Sequence, residues 1–215
     1  MNEIKVKLCG MMKKCDIEYA NLAGADYVGF VFADTRRKIS YEQAKSFKES
    51  LADIPAVGVF VDEEADEVCR LLTENIIDIA QLHGSEDAAY IEKIRACTAK
   101  PIIKAAKVRG REDVENVAGL DVDYLLLDTY RKGILGGTGE CFDWDIIKKI
   151  RSENHDEPGC ILGKKFFLAG GITAENVTEA IKLCPYGLDV SSGIETDGAK
   201  DKDKMIEIVR RIRHV

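Results

Sequence analysis

The chain is built on a repeat. Eight short runs rich in β-branched and aromatic residues recur along its 215 residues, each followed by a stretch with helical apolar spacing. The runs are Ile4–Leu8, Tyr27–Phe32, Ala56–Val61, Ile79–Leu82, Pro101–Ala106, Tyr124–Asp128, Phe166–Ala169 and Gly187–Val190. Several are almost continuously apolar, as strands buried on both faces of a parallel sheet must be. Between them, Val68, Leu71, Leu72 and Asn75 form one helical stripe and Val177, Ala180, Ile181 and Cys184 another, and Met205, Ile208, Val209 and Ile212 close the chain. Regular strand–helix alternation implies right-handed crossovers and a parallel sheet. Eight units without a ninth favour an α/β fold of one kind, a single (β/α)8 TIM barrel over residues 1–215. An open dinucleotide-binding sheet would want G-x-G-x-x-G after an early strand, and there is none. The sixth and seventh runs stand about twice as far apart as the others. That interval holds Thr129–Glu140 on the strand-end face, a candidate lid, and Ser152–Gly163 on the opposite face, expected to be decoration.

Composition removes several function classes. A net charge of −7 argues against a nucleic-acid partner, which clustered lysine and arginine would have to neutralise. No run approaches the roughly 20 apolar residues that span a bilayer, so no membrane partner is expected. The start MNEIKVKLCG is too polar for a signal peptide, and a cytoplasmic location follows as the expectation. Seven cysteines (9, 15, 69, 97, 141, 160 and 184) are scattered without a C-x-x-C pair. That pattern fits neither a disulfide framework nor a zinc site, so reduced thiols and no metal are expected. Cys15, Cys69, Cys97 and Cys184 fall in helical patterns and read as small buried residues.

In such a barrel, chemistry gathers at the carboxyl ends of the strands. These ends present Lys7 and Cys9, Arg36 and Arg37, Asp62, His83, Lys107 and Arg109, Asp128, Gly170–Gly171, and Ser191–Ser192–Gly193. The last two groups, in FLAGGIT and DVSSGIE, place glycines and small hydroxyls where backbone N–H groups can cradle a phosphate. Strand alternation puts Lys7 on the same side as Cys9, where an ammonium would favour the thiolate. Asp128 ends the apolar run YLLLD, a setting in which a carboxyl group has reason to keep its proton. Arg37 in DTRRKIS is placed to meet a carboxylate, Arg36 reads as solvated charge, and His83 in QLHG is a candidate for the pocket wall.

Taken in order, KLCG, GFVF with TRRKIS, QLHG, LLLD, GGTGECFDW, LAGGI with a later NV, and DVSSGIE with G-x-KD resemble the phosphoribosylanthranilate isomerase family of tryptophan biosynthesis. The resemblance spans the whole chain. It implies an Amadori rearrangement of a phosphosugar–anthranilate substrate without cofactor or metal, by a monomer or homodimer. It further implies Cys9 as general base and Asp128 as general acid. Arg37 would face the anthranilate carboxylate, Lys7 and His83 would bind substrate, and Gly170, Gly171, Ser191, Ser192 and Gly193 would hold the phosphate. The related histidine-pathway isomerase differs in having Asp where Cys9 stands. Departures from the family pattern are Met11 and Met12 after KLCG, Ile172 after LAGG, and Glu140 and Cys141 in the GGTG loop.

Overall fold

The computed structural model describes residues 3–129 and 144–214. Strand and helix alternate through β1 (Lys5–Cys9), α1 (Lys14–Ala23), β2 (Tyr27–Val31), α2 (Tyr41–Glu49), β3 (Ala56–Phe60), α3 (Ala65–Thr73), β4 (Ile79–Leu82) and α4 (Ala88–Cys97). They continue through β5 (Ile102–Val108), α5 (Arg111–Ala118), β6 (Tyr124–Thr129) and α6 (Asp145–Asn154), then β7 (Cys160–Ile161), β8 (Lys164–Ala169), α7 (Val177–Lys182) and β9 (Gly187–Val190). A short turn of 3-10 helix (Ser192–Ile194), β10 (Glu195–Thr196), β11 (Ala199–Lys200) and α8 (Lys202–Arg213) complete the order.

Neighbours from β1 to β6 pair in parallel, β6 pairs with β8, β8 with β9, and β9 returns to β1. The ring is closed, so the chain is a (β/α)8 barrel, and each expected strand falls on one of its staves. Two additions have no counterpart in the sequence pattern. β7 makes an antiparallel hairpin with β8, giving the Ser152–Gly163 segment one ordered arm, and β10–β11 forms a second hairpin before α8. Apart from Thr129, the candidate lid Thr129–Glu140 lies outside the described residues, as does GGTGECFDW up to Trp144. Among the described residues no helix is long and apolar enough to cross a membrane.

Local chemistry sets the helix starts. Ser40 Oγ accepts from the Gln43 N–H at 3.2 Å while Gln43 Oε1 accepts from the Ser40 N–H at 2.9 Å. Such a reciprocal cap is worth about 1 kcal/mol. Asp87 and Asp201 cap α4 and α8 one way only, their carboxylates accepting from the Tyr90 N–H and from the Asp203 and Lys204 N–H groups. Strand alternation then divides the core. Residues such as Leu8, Phe30, Phe60, Leu82, Leu127 and Phe166 point outward and pack under the helices, where Leu71, Leu72, Val177, Met205 and Ile208 meet them. Each contributes about 1.5–3 kcal/mol of burial. Val57, Ile79, Ile103, Ala105, Leu126 and Phe167 point inward and fill the barrel. Tyr27, Tyr124 and Tyr186 pack on Phe167 with ring centroids 5.6, 5.7 and 5.3 Å away. These rings close the barrel at the strand starts, so its open end lies at the strand ends.

Three sequence expectations are corrected. Asn75 and Cys184 are not helix-face residues. Helices α3 and α7 end before them, and both are exposed turn residues with φ of 58° and 46°. Leu183 takes the buried place expected of Cys184. The cysteines are not all reduced: Cys69 of α3 and Cys97 of α4 form a disulfide with a Cα–Cα distance of 6.2 Å. Consecutive strand–helix units lay their helices side by side, so residues 28 apart in sequence meet across that seam. Cys15 is a free, half-buried thiol.

Candidate active site

Period-two alternation carries each inward stripe upward into one open cavity. Above Ile79 come Gln81 and His83, above Leu126 comes Asp128, and above Val57 come Val59 and Val61. The cavity has a volume of about 410 Å³. Cys9, Arg37, His83, Asp128, Gly170, Gly171, Ser191 and Ser192 all line it, together with Thr35, Gln81, Asp189 and an apolar wall of Val31, Ala33, Val59 and Val61. Around the ring, β1 and β6 are separated by β8 and β9 on one side and by the other four strands on the other. Cys9 and Asp128 thus face the cavity from well-separated staves. Lys107, Arg109 and Asp62 do not line it. Asp62 instead accepts from the Ser85 N–H and hydroxyl at 2.6 and 2.7 Å, which holds its carboxyl below the usual range.

Lys7 is placed differently from the expectation. Two residues before Cys9 on an inward stripe, it lies one layer down, fully buried and outside the cavity lining. Its Nζ donates to Asp189 Oδ1 at 2.8 Å. Burial alone would lower its pKa, but Asp189 and Cys9 outweigh burial and leave it raised. Cys9 receives opposing influences. Burial pushes its thiol pKa up, Lys7 and Lys200 pull it down, Asp189 adds to the rise, and the net shift is upward. The ammonium does act on the sulfur in the expected sense. Burial is the larger effect, so the resting group is a thiol.

Arg37 is held at the rim by a carboxylate that the sequence reading did not single out. Its Nε and Nη2 donate to Glu195 Oε1 and Oε2 at 2.8 and 3.2 Å. That uses one edge of the guanidinium and leaves the other edge for a ligand. Arg36 also pairs with Glu195 and donates to the Gly198 carbonyl at 2.7 Å, so it is a structural partner as well as an exposed charge. The buried Lys200 donates to Glu195 Oε1 and to the Ser191 carbonyl, both at 2.9 Å. Burial would raise the Glu195 pKa, but hydrogen bonds from Arg37, Lys200 and Arg36 bring it down to about 2.

On the far wall His83 Nε2 stands 3.2 Å from Asp128 Oδ2, and His83 Nδ1 stands 3.1 Å from Gln81 Nε2. The turn after His83 is fixed from behind. Buried Glu86 accepts from the Gly84 and Asp62 N–H groups and from Lys104 Nζ at 2.6 Å.

Between these walls lie the glycine loops. Gly170 and Gly171 have φ of 90° and 64°, left-handed conformations that a side chain would strain. Gly193 does not line the cavity. It lies in the 3-10 turn, where a Cβ would come 1.9 Å from the Ile172 carbonyl oxygen, so it sets how closely the two loops approach.

Gln81, Asp189 and Glu195 were missed from sequence. For Gln81 and Asp189 the available signal was a polar residue inside an otherwise apolar strand, since burying one demands a partner; Glu195 opens a short polar hairpin strand, where no such pattern marks it.

Residues 6–211 match the model of the family described as PRAI, N-(5'phosphoribosyl)anthranilate (PRA) isomerase. The chain belongs to the phosphoribosylanthranilate isomerase family. The phosphoribosylanthranilate isomerase of Endomicrobium trichonymphae is 41% identical over 211 residues, covering 97% of this chain and 98% of its own. The crystal structure of phosphoribosylanthranilate isomerase from Thermus thermophilus superposes with a TM-score of 0.80 at 34% identity, over 97% of this chain and 98% of that one. Another solved phosphoribosylanthranilate isomerase, in complex with reduced 1-(o-carboxyphenylamino)-1-deoxyribulose 5-phosphate, gives a TM-score of 0.81 at 30% identity, covering 99% of this chain and 100% of that one. As a member of the phosphoribosylanthranilate isomerase family, the chain is an isomerase of tryptophan biosynthesis.

Proposed function

We propose that the chain converts N-(5-phosphoribosyl)anthranilate to 1-(2-carboxyphenylamino)-1-deoxyribulose 5-phosphate, with Asp128 as general acid and Cys9 as general base. The observation that carries this reading is a carboxyl group and a thiol set on separate staves of one cavity, between a rim arginine and two glycine-rich loops. Asp128 gives its proton to the ring oxygen of the furanose, and the sugar opens to an iminium. Cys9 then takes the proton from C2, the electron pair forms an enolamine, and this tautomerises to the ketone. C1 gains a proton as the C2 hydroxyl loses one, Cys9 keeps the C2 proton and Asp128 regains its proton from solvent, so the substrate is isomerised with no net change in electrons and the chemistry calls for no cofactor.

The raised Cys9 pKa fits this order of steps. The positive charge of the iminium, added to those of Lys7 and Lys200, draws the thiol proton off to solvent, and the thiolate so formed is the base that takes the C2 proton. Arg37 meets the anthranilate carboxylate with the edge that Glu195 leaves free. Val31, Ala33, Val59 and Val61 flank the aromatic ring, and the loops at Gly170–Gly171 and Ser191–Ser192 take the phosphate.

The test is a fluorescence time course on freshly generated substrate, with and without the protein. Anthranilate-type fluorescence should disappear well above the spontaneous rate. Cys9→Ala and Asp128→Asn should each lower kcat by about 10²–10⁴-fold. A flat trace from folded protein would count against the reaction and point to a barrel that binds phosphosugars without turning them over.

A further inference from the structure

Gln81 lines the cavity, yet the reaction as written gives it no task. It is buried, its Nε2 faces His83 Nδ1 at 3.1 Å, and its Oε1 has no hydrogen-bond partner among the described residues. An amide nitrogen has only hydrogens to offer. The ring nitrogen it faces must therefore be the bare acceptor, and the neutral imidazole carries its proton on Nε2. That nitrogen faces Asp128 Oδ2 at 3.2 Å.

Turning the amide by half a turn would reverse every role. Oε1 would require a proton on Nδ1, and in a neutral ring Nε2 would then be bare and Asp128 would have to donate to it. The observed orientation leaves one buried acceptor unpaired. The reverse would put the NH2 group in that same partnerless place, and buried orphan N–H groups are rarer in proteins than under-used carbonyl oxygens.

We infer that Gln81 is a positioning residue for the proton transfer, holding His83 in the Nε2–H tautomer so that the ring donates to Asp128. The inference rests on Asp128 being the general acid. It assigns the two carboxyl oxygens different work. With Oδ2 accepting from His83, the acidic hydrogen sits on Oδ1. When that proton leaves, the Nε2–H bond stabilises the new carboxylate without any rearrangement of the ring.

The chain has three histidines, so the imidazole nitrogens can be followed in full-length protein labelled with 15N-histidine. Wild type should show His83 protonated on Nε2 and bare on Nδ1. Gln81→Glu, nearly the same shape, offers an acceptor to Nδ1 and should move the ring to the Nδ1–H form. It should also lower kcat by about 10-fold or more while KM changes less than about twofold. Gln81→Leu should give a mixture of tautomers and an intermediate kcat. A wild-type ring protonated on Nδ1 would overturn the inference, and that spectrum needs no variant to fold. So would a Gln81→Glu protein with unchanged tautomer and kcat. The two readings fail separately. Asp128→Asn with wild-type kcat removes the acid assignment, whereas an Nδ1–H ring in an enzyme that needs Asp128 removes only the role of Gln81.

Discussion

Replacing Lys7 with Met removes the charge beneath the cavity. Its ammonium lies 2.8 Å from Asp189 Oδ1, with the lysine side chain fully buried and the aspartate 9% exposed. Taking away one partner of a buried pair leaves the other charge without compensation, at a cost of about 3–5 kcal/mol. Domains of this kind hold about 5–15 kcal/mol in total, so the loss should be plain in urea unfolding followed by circular dichroism. The double variant Lys7→Met/Asp189→Leu buries no lone charge and should recover most of the loss, which makes the coupling measurable as a double-mutant cycle. The same substitution should move the thiol. Lys7 opposes the burial that raises Cys9, so Lys7→Met should push its titration higher still. Thiolate absorbance would report this in a background where Cys15, Cys141, Cys160 and Cys184 are serine. A single variant within about 1 kcal/mol of the parent, with an unchanged thiol titration, would refute the reasoning.

Glu195→Gln should alter the acid response. The folded-state pKa falls from the ordinary 4.5 to about 2, so the stability this group contributes is present above about pH 4.5 and is lost as pH falls toward 2. Thermal unfolding at about pH 5 and about pH 3 should show a smaller decline in the variant than in wild type, and KM should rise because Arg37 loses its anchor. Gly193→Ala would set a Cβ 1.9 Å from the Ile172 carbonyl oxygen, which is backbone and has little freedom to yield. Overpacking of this kind costs about 1–3 kcal/mol, and the spread of the two loops should raise KM for the phosphorylated substrate more than it lowers kcat. An unchanged melting temperature and KM would show that the loops are not set by that contact.

Much of the site is legible in the strands because alternation is a local property. Once Ile79, Leu126 and Val57 are inward, the residues two and four positions on are inward as well, and that puts Gln81, His83, Asp128 and Val59 in one cavity. The same rule carried Lys7 too far. Its side is right, but its depth depends on where β1 stands in the closed ring.

Local pattern alone dictates the (β/α)8 barrel, the end at which chemistry gathers, and the residue types available there. These follow from apolar spacing and strand direction, which each segment carries alone. Tertiary structure decided the partnerships. Lys7 meets Asp189 across 182 residues, Arg37 meets Glu195 across 158, and His83 meets Asp128 across 45. The Cys69–Cys97 bond forms only because neighbouring helices lie side by side. Whether Cys9 rests as thiol or thiolate was likewise undecided in one dimension. Its charge neighbours and its burial pull in opposite directions, and only the closed barrel sets how much water is removed from the sulfur.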